Sequence, residues 1–161
     1  MRVHHVDEGP AHGPVVLMLH GEPSWSYLYR KMIPILAQAG CRAVAPDLVG
    51  FGKSDKPAAR EDHTYQRHVD WMWQWLVSVD VHDVTLVCQD WGALIGLRLV
   101  AEHPERFARV VVANGGLPTG DQEMPRAFRA WLALSQRGER LPVGRIIQQG
   151  TVTELGDEVL A

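Results

Sequence analysis

Long apolar runs are missing from this 161-residue sequence. No stretch nears the roughly 18 apolar residues that a membrane-spanning helix needs. The opening "MRVHHVDEGP" has no apolar core of a secretory signal, so neither a span nor a signal peptide is expected. Cysteine is scarce, with Cys41 and Cys88 the two present, both in apolar, strand-like runs. They read as buried core thiols of a cytosolic protein, which argues against a disulfide framework or a thiolate metal site. An excess of one charge is also lacking. A net charge of -3 and a pI near 6.2 give no electrostatic reason for a nucleic acid or an anionic membrane as partner. His4, His5, His12, His63, His68, His82 and His103 show no metal-ligand spacing with cysteines or carboxylates, and surface or turn positions are expected for them. "GFGKS" (Gly50 to Ser54) fails as a phosphate loop because the required first glycine falls at Asp47. No metal or cofactor is expected, and there is no repeat or low-complexity tract.

What is present is an ordinary soluble mix, long enough for one domain that buries about 70% of its unfolded surface. "VVLML" (Val15 to Leu19) is a continuous apolar run between glycine-containing turns, the signature of a strand buried on both faces. Ser26 to Ala39 carries helical periodicity and stops at Gly40, with Pro34 predicting a kink or a break. Cys41 to Ala45 is a second strand. A helix from about Thr64 to Val79 carries "WMWQW", whose tryptophans are expected to pack that helix on the sheet. Val84 to Cys88, Ala93 to Glu102 and Ala108 to Ala113 complete a strand–helix–strand series. Right-handed crossovers turn such a series into a doubly wound, mostly parallel sheet. After Asn114 no strand pattern remains. Short amphipathic stretches at Pro125 to Gln136 and Val143 to Gln149, and a helix start at Thr153, read as a helical excursion. The expected division is therefore 1–114 for the sheet domain and 115–161 for a helical cap.

The stretch "VTLVCQDWGALIG" holds the chemistry. Ligands of open α/β sheets bind beyond the carboxyl ends of the strands, and Asp90 sits at such an end, at the start of a helix. A sharp strand-to-helix turn that exposes one reactive side chain is written G-x-S-x-G. Here it reads Cys88-Gln89-Asp90-Trp91-Gly92, with Asp in the serine position. The plain alternative is an aspartate that caps the following helix. A serine that attacked a saturated carbon would form an ether, which water does not readily cleave. An aspartate forms an ester instead, whose carbonyl water can attack with help from an oxyanion hole. The aspartate thus points to alkyl halides or epoxides. By position, the oxyanion amides would be those of Glu22, in "LMLHGEPSW", and Trp91. His20 reads as part of a tight turn and is not assigned as a base.

Together, "HGEPSWSYLYRKMIP", "DLVGFGKSDKP", "YQRHVDWM", "CQDWG" and "GLRLVAEHPERFARVVVANGGLP" resemble the haloalkane dehalogenases of the α/β-hydrolase fold. The glutamate of "HGEP" is similar to the subgroup whose second halide ligand is a cap tryptophan. The resemblance implies Asp90 as nucleophile and Trp91 as an indole N–H donor to the leaving halide. It also implies Trp131 as the second halide-binding tryptophan and Phe128, one turn earlier, as a pocket residue. Two donor-only indoles in an apolar slot suit a departing halide. A haloalkane would be the small-molecule partner. The family's strands begin one earlier, "RVHHVDEGP" being similar to its second, and its acid and base histidine come after the cap. The chain is therefore expected to be a piece of the sheet domain with the start of a cap, limited at most to alkylation of Asp90. An epoxide hydrolase is the alternative, disfavoured because no tyrosine falls in the cap stretch. An inactive or partner-completed piece is the second alternative.

Overall fold

The computed structural model describes residues 1–137 and 141–160. They fall into two compact units, Met1–Leu117 and Pro118–Ala161. The first is built on five strands: β1 (His5–Glu8), β2 (Val15–Leu19), β3 (Arg42–Pro46), β4 (Val84–Cys88) and β5 (Phe107–Val112). Their order is β1-β3-β2-β4-β5, with β1 antiparallel to β3 and every other pair parallel. The central strand β2 is the most apolar. Met18 and Leu19 are wholly buried because helices cover both faces there.

Helices α1 (Ile33–Gln38), α2 (Tyr65–Val79) and α3 (Trp91–Glu102) follow β2, the loop after β3, and β4. Thr64 starts α2 by accepting the Arg67 N–H on its hydroxyl, and Val69, Met72, Trp75 and Leu76 form its buried stripe. Each such side chain contributes roughly 1.5–3 kcal/mol through burial. The single helix expected over Ser26 to Ala39 is two pieces, a 3₁₀ turn at Ser26–Tyr29 and then α1. Pro34 lies in the first turn of α1, where its missing N–H deprives no carbonyl of a partner. Tyr29 anchors the gap by donating its hydroxyl to the Leu19 carbonyl at 2.8 Å.

Two sequence expectations need correction. Cys41 is half-buried, at the start of a strand next to the sheet's β1 edge, whereas Cys88 is fully buried. His68 is a core residue 9% exposed, because its position on α2 falls on the buried stripe beside Val69 and Met72. His4 is also more than a turn residue. Its Nδ1 bonds the wholly buried Asp47 at 2.9 Å. Asp47 also accepts the amides of Ser26 and Lys53, and these bonds outweigh burial and hold its carboxyl below the usual range. At the opposite edge, β5 pairs only with β4 and leaves Val110, Val111 and Val112 between 40% and 50% exposed.

The second unit contains α4 (Arg126–Arg137), α5 (Val143–Gln149) and α6 (Asp157–Leu160), with no strand among the described residues. The helix expected to start at Thr153 begins at Asp157. The Gln148 side chain donates to the Thr153 carbonyl and accepts the Leu155 amide, which holds that segment out of helical geometry.

Candidate active site

Asp90 joins β4 to α3 with φ 50° and ψ −126°, a conformation that costs an L-residue roughly 1–3 kcal/mol. Neighbouring backbone enforces it. The Asp90 amide donates to the Asn114 carbonyl at 3.1 Å, and the Asp90 carbonyl accepts the amides of Ala93 and Leu94. Gly92 allows α3 to press on β2, since a Cβ there would lie 2.1 Å from the Leu19 carbonyl oxygen. The Asp90 side chain makes no capping bond to α3, which removes the plain alternative for this residue. Its carboxylate is exposed, and Oδ1 accepts the Glu22 amide at 2.9 Å.

The Glu22 loop is held by His20. The Leu48 amide donates to Nε2 at 2.9 Å, so the ring proton sits on Nδ1 and donates to the Gly21 carbonyl at 3.0 Å. Burial lowers the pKa of His20 and keeps the ring neutral. A fully buried imidazole with both nitrogens engaged is a brace and has no lone pair free for water. Gly21 passes so near the elbow that a Cβ on it would fall 2.4 Å from the Asp90 Cβ and Oδ1. Burial pushes the Glu22 carboxyl up, the Asp90 charge adds to this, and a bond from the Trp91 side chain opposes it.

A cavity of about 220 Å³ opens beside these groups. Glu22 and Trp91 form one wall, Leu48, Phe51 and Ile95 the apolar part, and His63 and His68 the remainder. The His68 ring lies edge-on to Trp71 at 5.1 Å and tilted to Trp91 at 6.4 Å. Burial, with help from His63, pulls its pKa down to about 4. The folded state therefore resists a proton that the unfolded chain takes at about 6.5. Stability contributed by neutral His68 is present above pH 6.5 and lost as the pH falls through about 4. His68→Phe is expected to flatten urea-measured stability across that window, with an unchanged slope counting against the assignment. The larger groove of about 580 Å³, beside Trp25, Tyr27 and Arg30, contains none of the elbow residues.

The structure thus brings Asp90, the Glu22 amide and Trp91 together in the first unit. Trp131, half-buried, and Phe128, 43% exposed, lie three residues apart on α4 in the second. Sequence reading missed the Asn114 carbonyl, the close approaches of Gly21 and Gly92, and the buried His68. For the glycines a signal was present, namely their adjacency to "HGEP" and "QDWG". Burial raises the Cys88 thiol to about 11, so it is inert beside the elbow. Among the described residues no cluster of His, Cys, Asp or Glu could hold a metal, and no helix is long and apolar enough to cross a membrane.

A strained aspartate between a parallel strand and a helix, facing an amide of the adjacent strand's loop, defines a hydrolase elbow. A family model described as the alpha/beta hydrolase fold matches residues 14–159, and the chain belongs to that family. It is 59% identical to a haloalkane dehalogenase of Psychrobacter cryohalolentis over 160 residues, 99% of this chain and 53% of that protein. The haloalkane dehalogenase DpaA from Paraglaciecola agarilytica is similar in structure, with a TM-score of 0.90 and 36% identity, over 98% of this chain and 52% of that one. The epoxide hydrolase VrEH1 from Vigna radiata is similar at a TM-score of 0.74 and 30% identity, over 94% and 53%. The chain spans about half the length of the curated relatives it matches.

Proposed function

We propose that this chain carries the alkylating half of a haloalkane dehalogenase, a hydrolase acting on carbon–halogen bonds. The observation that supports it most is the Asp90 carboxylate, exposed at the elbow with Oδ1 bound by the Glu22 amide. With Oδ1 held, Oδ2 is the oxygen free to attack. A lone pair of Oδ2 forms the C–O bond as the carbon–halogen pair leaves with the halide, giving an alkyl ester on Asp90. The Trp91 indole N–H, which bonds the Glu22 carboxyl in the free site, turns to the departing halide. The ester keeps Oδ1 as its carbonyl oxygen. When water attacks that carbonyl, negative charge gathers on Oδ1, where the Glu22 amide already points. The Trp91 amide, at the first position of α3, is the second donor.

Hydrolysis of the ester needs a base. His20 has both ring nitrogens committed, and the carboxylate-paired His4, His82 and His103 do not line the cavity beside Trp91. His63 does line it, but has its Nε2 on the Pro57 carbonyl and no carboxylate among the described residues to orient it as a base. With a pKa near 4, His68 takes a proton poorly at neutral pH. The ester is therefore expected to persist on this chain.

Epoxide opening is the weaker reading because the departing alkoxide needs an acid. Tyr29 and Tyr65 already donate their hydroxyls to the carbonyls of Leu19 and Leu94, and Tyr27 lines the groove away from the elbow. Incubation with 1-bromobutane should release one equivalent of bromide per chain and then stop, while styrene oxide should give no adduct. Adduct formation from the epoxide alone would reverse the assignment. The free thiols support a cytosolic location.

A further inference from the structure

His68 stands apart from the other buried side chains. It is 9% exposed, yet neither ring nitrogen has a hydrogen-bond partner among the described residues, and its contacts are the rings of His63, Trp71 and Trp91. By comparison, His20 bonds Gly21 and Leu48, His4 bonds Asp47, and His63 donates to the Pro57 carbonyl at 3.0 Å. The His68 nitrogens are not sealed either. Trp75 Nε1 is the one buried side-chain nitrogen or oxygen both closed to solvent and unpartnered among the described residues. What remains accessible of the His68 ring opens on the cavity it lines with Trp91 and Glu22.

We propose that this cavity is a polar-tail subsite, in which His68 binds the uncharged hydroxyl group of a halogenated alcohol whose halide end faces Asp90 and Trp91. The inference rests on the reading of Asp90 as the alkylated group. A neutral imidazole offers one N–H and one lone pair, which a single hydroxyl can accept and satisfy together. The groups that face the site decide the ligand's charge. Glu22 in the cavity wall, with Asp90 next to it on the Glu22 amide, disfavours a carboxylate tail, and a neutral His68 gives an anion no compensating charge. Leu48, Phe51 and Ile95 accept the methylene chain. At about 30 Å³ per water, the 220 Å³ cavity has room for roughly seven waters, enough for a short chain of carbons ending in oxygen. A methyl of equal size would displace the water open to the His68 nitrogens and leave them unpaired, a cost of about 1–3 kcal/mol that a hydroxyl avoids.

The test compares 4-bromo-1-butanol with 1-bromopentane, which exchanges hydroxyl for methyl at nearly constant shape. The rate of Asp90 ester formation is followed by intact mass in the full chain, in His68→Phe and in His68→Gln. The wild-type preference for the alcohol should fall about tenfold in His68→Phe and persist in His68→Gln, whose amide still gives and takes a hydrogen bond. Bromopentane carries any general effect of each substitution on the site, so the alcohol-to-alkane ratio of rates is the readout, and near-ultraviolet circular dichroism reports whether each variant folds. The same alcohol-to-alkane ratio in all three chains overturns the subsite. If the wild-type chain forms no ester with either bromide, the alkylation reading fails instead. The subsite is then judged by saturation-transfer NMR with 1,4-butanediol. Binding to wild type and His68→Gln but not His68→Phe sustains it, and equal binding to all overturns it.

Discussion

Asp90→Asn is expected to lower ester formation from 1-bromobutane by at least about 10⁴-fold, the scale seen when a nucleophile is removed from a preorganised site. Its effect on stability should be small and of opposite sign. Asparagine still offers Oδ1 to the Glu22 amide, and it tolerates positive φ more readily than most residues. It also removes a negative charge beside the half-buried Glu22 carboxyl. Urea denaturation should place the variant within about 1 kcal/mol of wild type, on the stable side. The helix-cap alternative predicts the reverse pattern, with a loss of about 1 kcal/mol in stability and no link to bromide. A variant that unfolds easily yet still releases bromide at the wild-type rate would remove Asp90 from the chemistry.

Gly92→Ala is expected to produce the largest loss of stability at the elbow. The added Cβ would sit 2.1 Å from the Leu19 oxygen, 2.5 Å from its carbonyl carbon and 2.6 Å from the His20 oxygen. All three are backbone atoms of the central strand and its exit loop, so relief requires α3 or β2 to move. A loss of about 3 kcal/mol or more follows, at the upper end for overpacking. Displacing α3 also shifts the Trp91 amide, so the alkylation rate should fall with the urea midpoint. Gly96→Ala is the control on the same helix. Its nearest atoms are the side-chain methyls of Leu86 and Leu19, at 2.9 and 3.2 Å, which can rotate away. Alanine's helix propensity returns about 1 kcal/mol, so a net change under about 1 kcal/mol is expected there. Equal losses at Gly92 and Gly96 would mean that the close approach to β2 is not what fixes the elbow.

Elements with a strong period were readable from the sequence. "VVLML" and "VTLVC" read as strands and are β2 and β4, and the helix expected from about Thr64 to Val79 is α2, Tyr65–Val79. The elbow was readable because a carboxylate at a strand–helix junction conflicts with what a turn alone needs. Features that depend on contacts distant in sequence were hidden. Asn114 supports Asp90 from 24 positions away through a backbone carbonyl, which leaves no mark on residue identity. His68 looked like a surface histidine because polarity is visible in a sequence, whereas the packing of α2 against the Trp91 side of the sheet is not. The start of α6 was misplaced for a similar reason. Thr153 has the composition of a cap, but the Gln148 side chain takes the backbone groups that a helix would have used.

Peptide mass mapping after incubation with 1-bromobutane tests the central claim most directly. The expected result is a single butyl group on the peptide spanning Val84 to Gly96, with fragment ions assigning it to Asp90 and bromide released in equal amount. A chain that stays unmodified under these conditions, or carries its butyl group on Cys41 or a histidine while Asp90 stays free, would contradict it.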